Sequence, residues 1–224
     1  MPRPITSSRN SADPRRPGRV RRPGRQAGRV QSDDGLGYSV VELVFAVGLA
    51  VTVSGMTVSQ VLSGLDDYRT AGAARYLATR LQRARMEAVT RSTDVAMQFV
   101  PVGTGYSYAV YRDGNRNGVR TKDIQSGADP RVGSVERLPE HFGPVDFGVQ
   151  ARLPAVDADA EPPGNDPIKV GASNIASFSA LGTATSGSLY IRGRYAQYVV
   201  RIFGATGKVR VLKFDRVANQ WKPL

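Results

Sequence analysis

The chain has 224 residues, no Cys, one His and a formal net charge of +12. That length suits one ordinary domain with appendages. Without Cys there is no disulfide, thiolate nucleophile or Cys-ligated metal, and His141 alone rules out a multi-His metal site and argues against a His-based triad. The positive excess points to an acidic partner, nucleic acid or a membrane surface, and its distribution matters more than its total.

Residues 1–37 carry nine Arg and three Asp among many Pro and Gly. They hold too few large apolar groups to offset chain entropy, so this leader is expected to be disordered. Its charge fits the cytoplasmic flank of a membrane segment, with an RNA-binding arm as the other reading. The 23 residues from Leu43 to Leu65 bear no formal charge. About 20 predominantly apolar residues suffice for a helix to cross a bilayer. The preceding positive charge predicts an N-in, C-out single-pass anchor over 38–65. Two export readings compete. A signal peptide would be cut after Ala73 in Ala71-Gly72-Ala73, but its apolar region is normally about 7–15 residues. A twin-Arg signal would start from Arg15-Arg16 or Arg21-Arg22, yet both pairs run into Pro-Gly.

Glu42 is the only charge between residues 38 and 65. A carboxylate at the edge of a membrane segment is costly unless paired, which makes it a functional candidate; the plainer reading leaves it in interfacial water. Beyond the apolar run, Ala74, Leu77, Ala78, Leu81, Ala84/Arg85 and Ala88 recur at three- and four-residue steps. The spacing predicts an amphipathic helix over 66–93, continuous with the anchor from about Tyr38 to Thr93. Gly48, Gly55 and Gly64 weaken that helix by about 1 kcal/mol each relative to Ala, so bending is expected there.

After Thr93 the period becomes two. Strands are predicted at 95–100, 106–111, 145–149, 175–179, 188–192, 196–203 and 207–214, the first two joined by a Gly-containing hairpin and the last two by Gly204-Ala205-Thr206-Gly207. The acidic, Pro-rich stretch 154–167 reads as a mobile surface loop in the β-rich region 94–224. A helix followed by strands implies an α+β fold, an antiparallel sheet packed on the long helix.

Asp113, Asn115 and Asn117 followed by Gly118 resemble the start of a calcium loop, but the twelfth position is Ile124, with Asp123 one place early. An Asn/Gly turn is the better reading. Gly204-Ala-Thr-Gly207-Lys208 is too short for a P-loop, no G-x-S-x-G occurs, and Asp157, Asp159 and Glu161 sit in a loop without rigid support. No catalytic residue and no cofactor are expected. Residues 168–224 hold nine basic groups against Asp215 alone. Lys208 and Arg210 share one face of their strand and, with Arg192 and Arg194, form a candidate DNA-phosphate surface, set against the plainer reading of a solvated sheet face.

Gly37-Tyr38-Ser39-Val40-Val41-Glu42 with the apolar run behind it resembles the prepilin-type leader of type IV pilins and pseudopilins, with Tyr38 in place of the usual Phe. The leader is longer than is typical, Asp33-Asp34 replaces a basic flank, and an internal start near Val30 would shorten it. Further on, Ala84-Arg85-Met86-Glu87-Ala88 and the stretches SFSALGTATSGSLYIRG and VVRIFGATGKVRVLKF resemble the GspH/FimT subfamily of minor pseudopilins. The resemblance implies a structural subunit of a type II secretion system or type IV pilus, held in the bacterial inner membrane with its C-terminal domain periplasmic. A prepilin peptidase would cut after Gly37 and methylate the amine of Tyr38. Glu42 would pair with the N-terminus of a neighbouring pilin subunit. Some FimT-like pilins use a basic G-R-x-R-type motif in DNA uptake, and Gly207-Lys208-Val209-Arg210 is similar to it. A plain membrane-anchored periplasmic domain is the remaining alternative.

Overall fold

A computed structural model describes residues 39–157 and 161–224, with the side chains of 55–59 left aside. The proposed cleavage pair Gly37 and Tyr38, and Asp159, lie outside the described residues. Residues 46–224 form one compact unit; of the preceding unit only Ser39 and the first turns of a helix are described.

One helix, α1, runs unbroken from Val40 to Arg91, so the bend expected at its glycines does not interrupt it. Its C-terminal half buries the predicted stripe: Ala74, Leu77, Ala78, Leu81, Ala84 and Ala88 are all within the core. Small side chains on that stripe let the sheets approach closely, and truncating a buried leucine such as Leu77 would cost about 2–5 kcal/mol. The helix stops where Ser92 turns left-handed, at φ 50°. Ser92 N–H then donates to Val89 O and Thr93 N–H to Ala88 O, the paired bonds of a Schellman stop.

Among the described residues, ten strands and two short helices follow: β1 Val95–Val102, β2 Gly105–Arg112, α2 Thr121–Ser126, β3 Arg131–Glu136, α3 Leu138–Phe142, β4 Asp146–Phe147, β5 Ile168–Val170, β6 Ile175–Phe178, β7 Gly187–Arg192, β8 Gln197–Phe203, β9 Lys208–Asp215 and β10 Gln220–Pro223. They make two antiparallel sheets. One has the order β3-β2-β1-β6; the other runs β10-β9-β8-β7-β4, with β5 also paired to β7. The expected α+β architecture is observed, with two sheets sharing a core with α1.

The second sheet also carries a smaller apolar cluster on its outer face. Tyr190, Val199, Leu212, Phe214 and Trp221 pack there under Val149, Leu153 and Val156. Trp221 donates its indole N–H to Pro154 O at 3.1 Å, and Asp157 pairs with Arg201. The start of the acidic segment 154–167 is thus fastened to the sheet.

Among the described residues, no helix is long and apolar enough to cross a membrane. Val40, Val44, Phe45, Leu49, Val51, Val61 and Leu62 are each more than half exposed.

Candidate functional site

Asp66 and Asp67 follow directly on the uncharged run, and both turn toward the second sheet. Asp66 is buried on α1. Its carboxylate accepts N–H bonds from Arg194 at 2.8 Å, Tyr195 at 2.7 Å and Ala196 at 2.9 Å. These amides belong to the β7–β8 turn, closed by Gly193 N–H on Ala196 O. Burial alone would raise the Asp66 pKa, but the three amides and the Arg194 charge outweigh it and hold the carboxyl below its ordinary value. A side chain at position 193 has no room: a Cβ there would run into Thr70 Oγ1 and stand 2.6 Å from Asp66 Oδ1.

Asp67 accepts from the Tyr198 hydroxyl and from Lys213 Nζ, both at 2.8 Å. Burial first, and then the hydrogen bond to Asp67, pushes the Tyr198 phenol well above the usual tyrosine range. Two consecutive carboxylates therefore bind α1 to a turn and two strands more than a hundred residues away. Sequence reasoning missed both; the one available signal was an Asp-Asp pair at the junction of an apolar and an amphipathic helix half.

Further along α1, Tyr76 donates to Glu136 Oε2 at 2.8 Å, Tyr108 donates to the same oxygen at 3.2 Å, and Arg80 pairs with Oε1. Glu136 is nearly buried on β3 and fastens the edge of the first sheet to the helix. Near the end of α1, Arg85 Nε donates to Gly182 O at 3.1 Å. Gly207, in the β8–β9 turn at φ 59°, backs onto the same guanidinium: a Cβ there would lie 2.6 Å from Arg85 Nε. The β7–β8 turn thus lies at Asp66 and the β8–β9 turn at Arg85.

That geometry separates the four residues of the basic candidate surface. Lys208 and Arg210 are exposed at the Arg85 end, where Arg210 pairs in register with Arg201 and its guanidinium stands 5.6 Å from the Phe203 ring centre. Arg192 and Arg194 are exposed at the Asp66 end, beside Gln150, Phe214 and Arg216. The apolar cluster around Val199 and Tyr190 lies between the two pairs. The four residues thus fall in two pairs along the outer face of one sheet.

Asp113 uses both carboxylate oxygens inside its own turn. Oδ1 accepts from Asn115 N–H and Arg116 N–H, and Oδ2 from Gly118 N–H at 2.8 Å. Asp129 ties the turn down by accepting from Gly114 N–H and Arg120 N–H. Asn115 and Asn117 are exposed and Asp123 lies within α2. Among the described residues no three carboxylate or imidazole groups converge as metal ligands. Glu42 lies in the first turn of α1 with its side chain exposed.

A family model, Type II transport protein GspH, matches residues 73–206. The match takes in α1 from Ala73 onward, the first sheet and the Arg192/Arg194 pair; the apolar run, Glu42, Asp66, Asp67, Lys208 and Arg210 fall outside it. No curated protein and no solved structure matches the chain. The family consists of structural pseudopilins, not enzymes, and its transport role places it at the secretion apparatus of the cell envelope. The chain belongs to the GspH family of type II transport proteins.

Proposed function

We propose that the chain is a minor pseudopilin, processed after Gly37 and assembled through α1 into the filament of a type II secretion system. One observation carries the reading: a single helix buries an Ala/Leu stripe in its C-terminal half while its N-terminal half presents Val40, Val44, Phe45, Leu49 and Val51 outward. Such a face needs another apolar environment. Before assembly that is the inner membrane, with the domain on the periplasmic side; afterwards it is the helices of neighbouring subunits. Prepilin peptidase removes the basic leader and methylates Tyr38, and Glu42 pairs with the amine of the next subunit, which makes its burial tolerable.

The test is Glu42→Ala. The variant is expected to insert in the membrane at wild-type level and to be missing from sheared filaments. Normal incorporation would sink the role. N-terminal sequencing of the membrane form separates the alternatives: methylated Tyr38 supports the pilin reading, a start at Ala74 supports ordinary export, and an intact leader supports a plain anchor.

A second reading, a DNA-binding minor pilin at a pilus tip, draws on Lys208 and Arg210. Both are exposed beside Phe203, and neither is in an ion pair among the described residues. Its test is a salt-dependent gel shift abolished by Lys208→Gln with Arg210→Gln.

A further inference from the structure

We infer that Arg192, Arg194 and Arg216 form a docking surface for an anionic membrane face, holding the domain against lipid headgroups while the helix is still in the bilayer. The inference rests on the membrane-anchored reading above.

Three observations place the surface. The uncharged run ends at Leu65, and the next residue, Asp66, is bonded to the turn that carries Arg194 and Tyr195. The guanidinium groups therefore sit at the height where the apolar helix emerges. An adjacent groove is lined by Gln60, Ser63 and Gly64 of α1 together with Tyr195, Arg216 and Lys222. At 1.5 Å per residue, Gln60 lies about 9 Å before Asp66 along the axis, and a headgroup layer is about 5–7 Å thick. The domain reaches down to that layer.

The charges there are of the right kind. Arg192 donates to Val149 O at 3.5 Å, Arg216 donates to Gln150 Oε1 at 2.6 Å, and Arg194 stands 5.5 Å from the Tyr195 ring centre. None of the three is in an ion pair among the described residues. The neighbouring carboxylates are already engaged: Asp66 by three amides, Asp67 by Lys213 and Tyr198, and Asp215 by Lys222 at 2.5 Å. Guanidinium forks match phosphate oxygens, and tyrosine favours the interface; Tyr195 is 45% exposed.

Height also sets Lys208 and Arg210 apart from a membrane face at the Asp66 end. Arg192 pairs with Gln197, whereas Arg210 and Lys208 pair with Arg201 and Phe203, four and six residues further along β8, or about 13 and 20 Å. Both are beyond the screening length of about 8 Å in physiological salt.

The chain has no Cys, so single labels report cleanly. Full-length protein carrying a spin label at Ala151→Cys, an exposed position lining the arginine groove, or at Ala205→Cys in the far β8–β9 turn, is reconstituted in two vesicles. One is pure phosphatidylcholine and the other equal parts phosphatidylcholine and phosphatidylglycerol, each with a headgroup-bound paramagnetic quencher. Headgroup contact is expected at 151 and not at 205, and only with phosphatidylglycerol. At about fivefold per arginine, changing all three to Gln lowers the docked-to-free ratio by about two orders of magnitude, with an unchanged thermal midpoint. Changing them to Lys retains most of it, and Lys208→Gln with Arg210→Gln leaves it alone. Equal contact in both vesicles, or a Gln triple variant that docks like wild type, overturns the inference. So does loss of duplex-DNA binding in that variant with lipid contact intact, which would make nucleic acid the partner. Extraction of the wild-type chain by alkaline carbonate overturns the anchor reading itself and is recognisable as that separate failure.

Discussion

The carboxylate of Asp66 fills the space that a side chain at Gly193 would need: a Cβ at 193 would stand 2.6 Å from Oδ1 and 2.8 Å from Oδ2. An anion on a helix and an absent side chain in a hairpin turn are one structural unit. The turn presents its amides to the carboxylate only because the backbone can come this close, and the close approach is tolerable only because the carboxylate satisfies those amides.

Gly193→Ala is therefore expected to destabilise the domain by about 3 kcal/mol, at the upper end for overpacking. Neither neighbour is the free end of a long side chain that could swing aside. Urea unfolding followed by circular dichroism measures it; a loss under about 0.5 kcal/mol, the level of an ordinary surface change, would mean the turn relaxes away from α1.

Asp66→Asn is expected to cost about 2–3 kcal/mol at neutral pH, because an amide cannot accept all three N–H bonds. The pH dependence has a definite sign. The folded-state pKa of Asp66 is lowered, so its stabilisation is complete above the unfolded value of about 3.9. It is lost as pH falls below that value and through the folded pKa. Wild type and variant should therefore converge under acid. A gap that stays constant between neutral and acidic pH would assign the loss to packing rather than charge.

Glu136 holds Arg80 and two phenols at once. Glu136→Ala leaves a mostly buried guanidinium without its partner and is expected to cost about 3–5 kcal/mol. Glu136→Gln keeps an acceptor for the tyrosines and should lose less. Burial, reinforced by Glu136, raises the Tyr108 pKa far above the tyrosine norm. Ultraviolet titration should show Tyr108 silent through the range where exposed tyrosines ionise. Its appearance there in the folded wild type would contradict the buried cluster.

Ser92 ends α1 in a left-handed conformation that suits glycine. Ser92→Gly is expected to stabilise the domain by about 1 kcal/mol, read as a higher thermal midpoint. A lower midpoint would show that the Ser92 side chain has a role beyond the stop.

Much of this fold was legible because it depends on periodicity. The 74–88 stripe is buried, and the predicted strands at 95–100, 106–111, 188–192, 196–203 and 207–214 each overlap an observed strand. What escaped was short or irregular. β5 has three residues, β3 is interrupted by Gly133 at φ 91°, and β10 contains Pro223. Such strands exist because long neighbours offer them an edge, which no local pattern announces. The spacing of the candidate basic residues escaped for a related reason. Arg192 and Lys208 are close in sequence, but the length of β8 lies between them, with Arg192 beside Gln197 at one end and Lys208 beside Phe203 at the other. The Asp66 contact was beyond reach because its partners lie 128 to 130 positions away.

That separation also sets a timetable for synthesis. Residue 66 leaves the ribosome long before the turn that fastens it, and at 5–20 residues per second the interval is on the order of ten seconds. Throughout it the second sheet, whose Leu189, Ile191, Tyr198 and Val200 share the core with Ala73, Leu77 and Leu81, is unfinished. The growing chain must be sheltered in that time, and the domain can close only after the β7–β8 hairpin has been made.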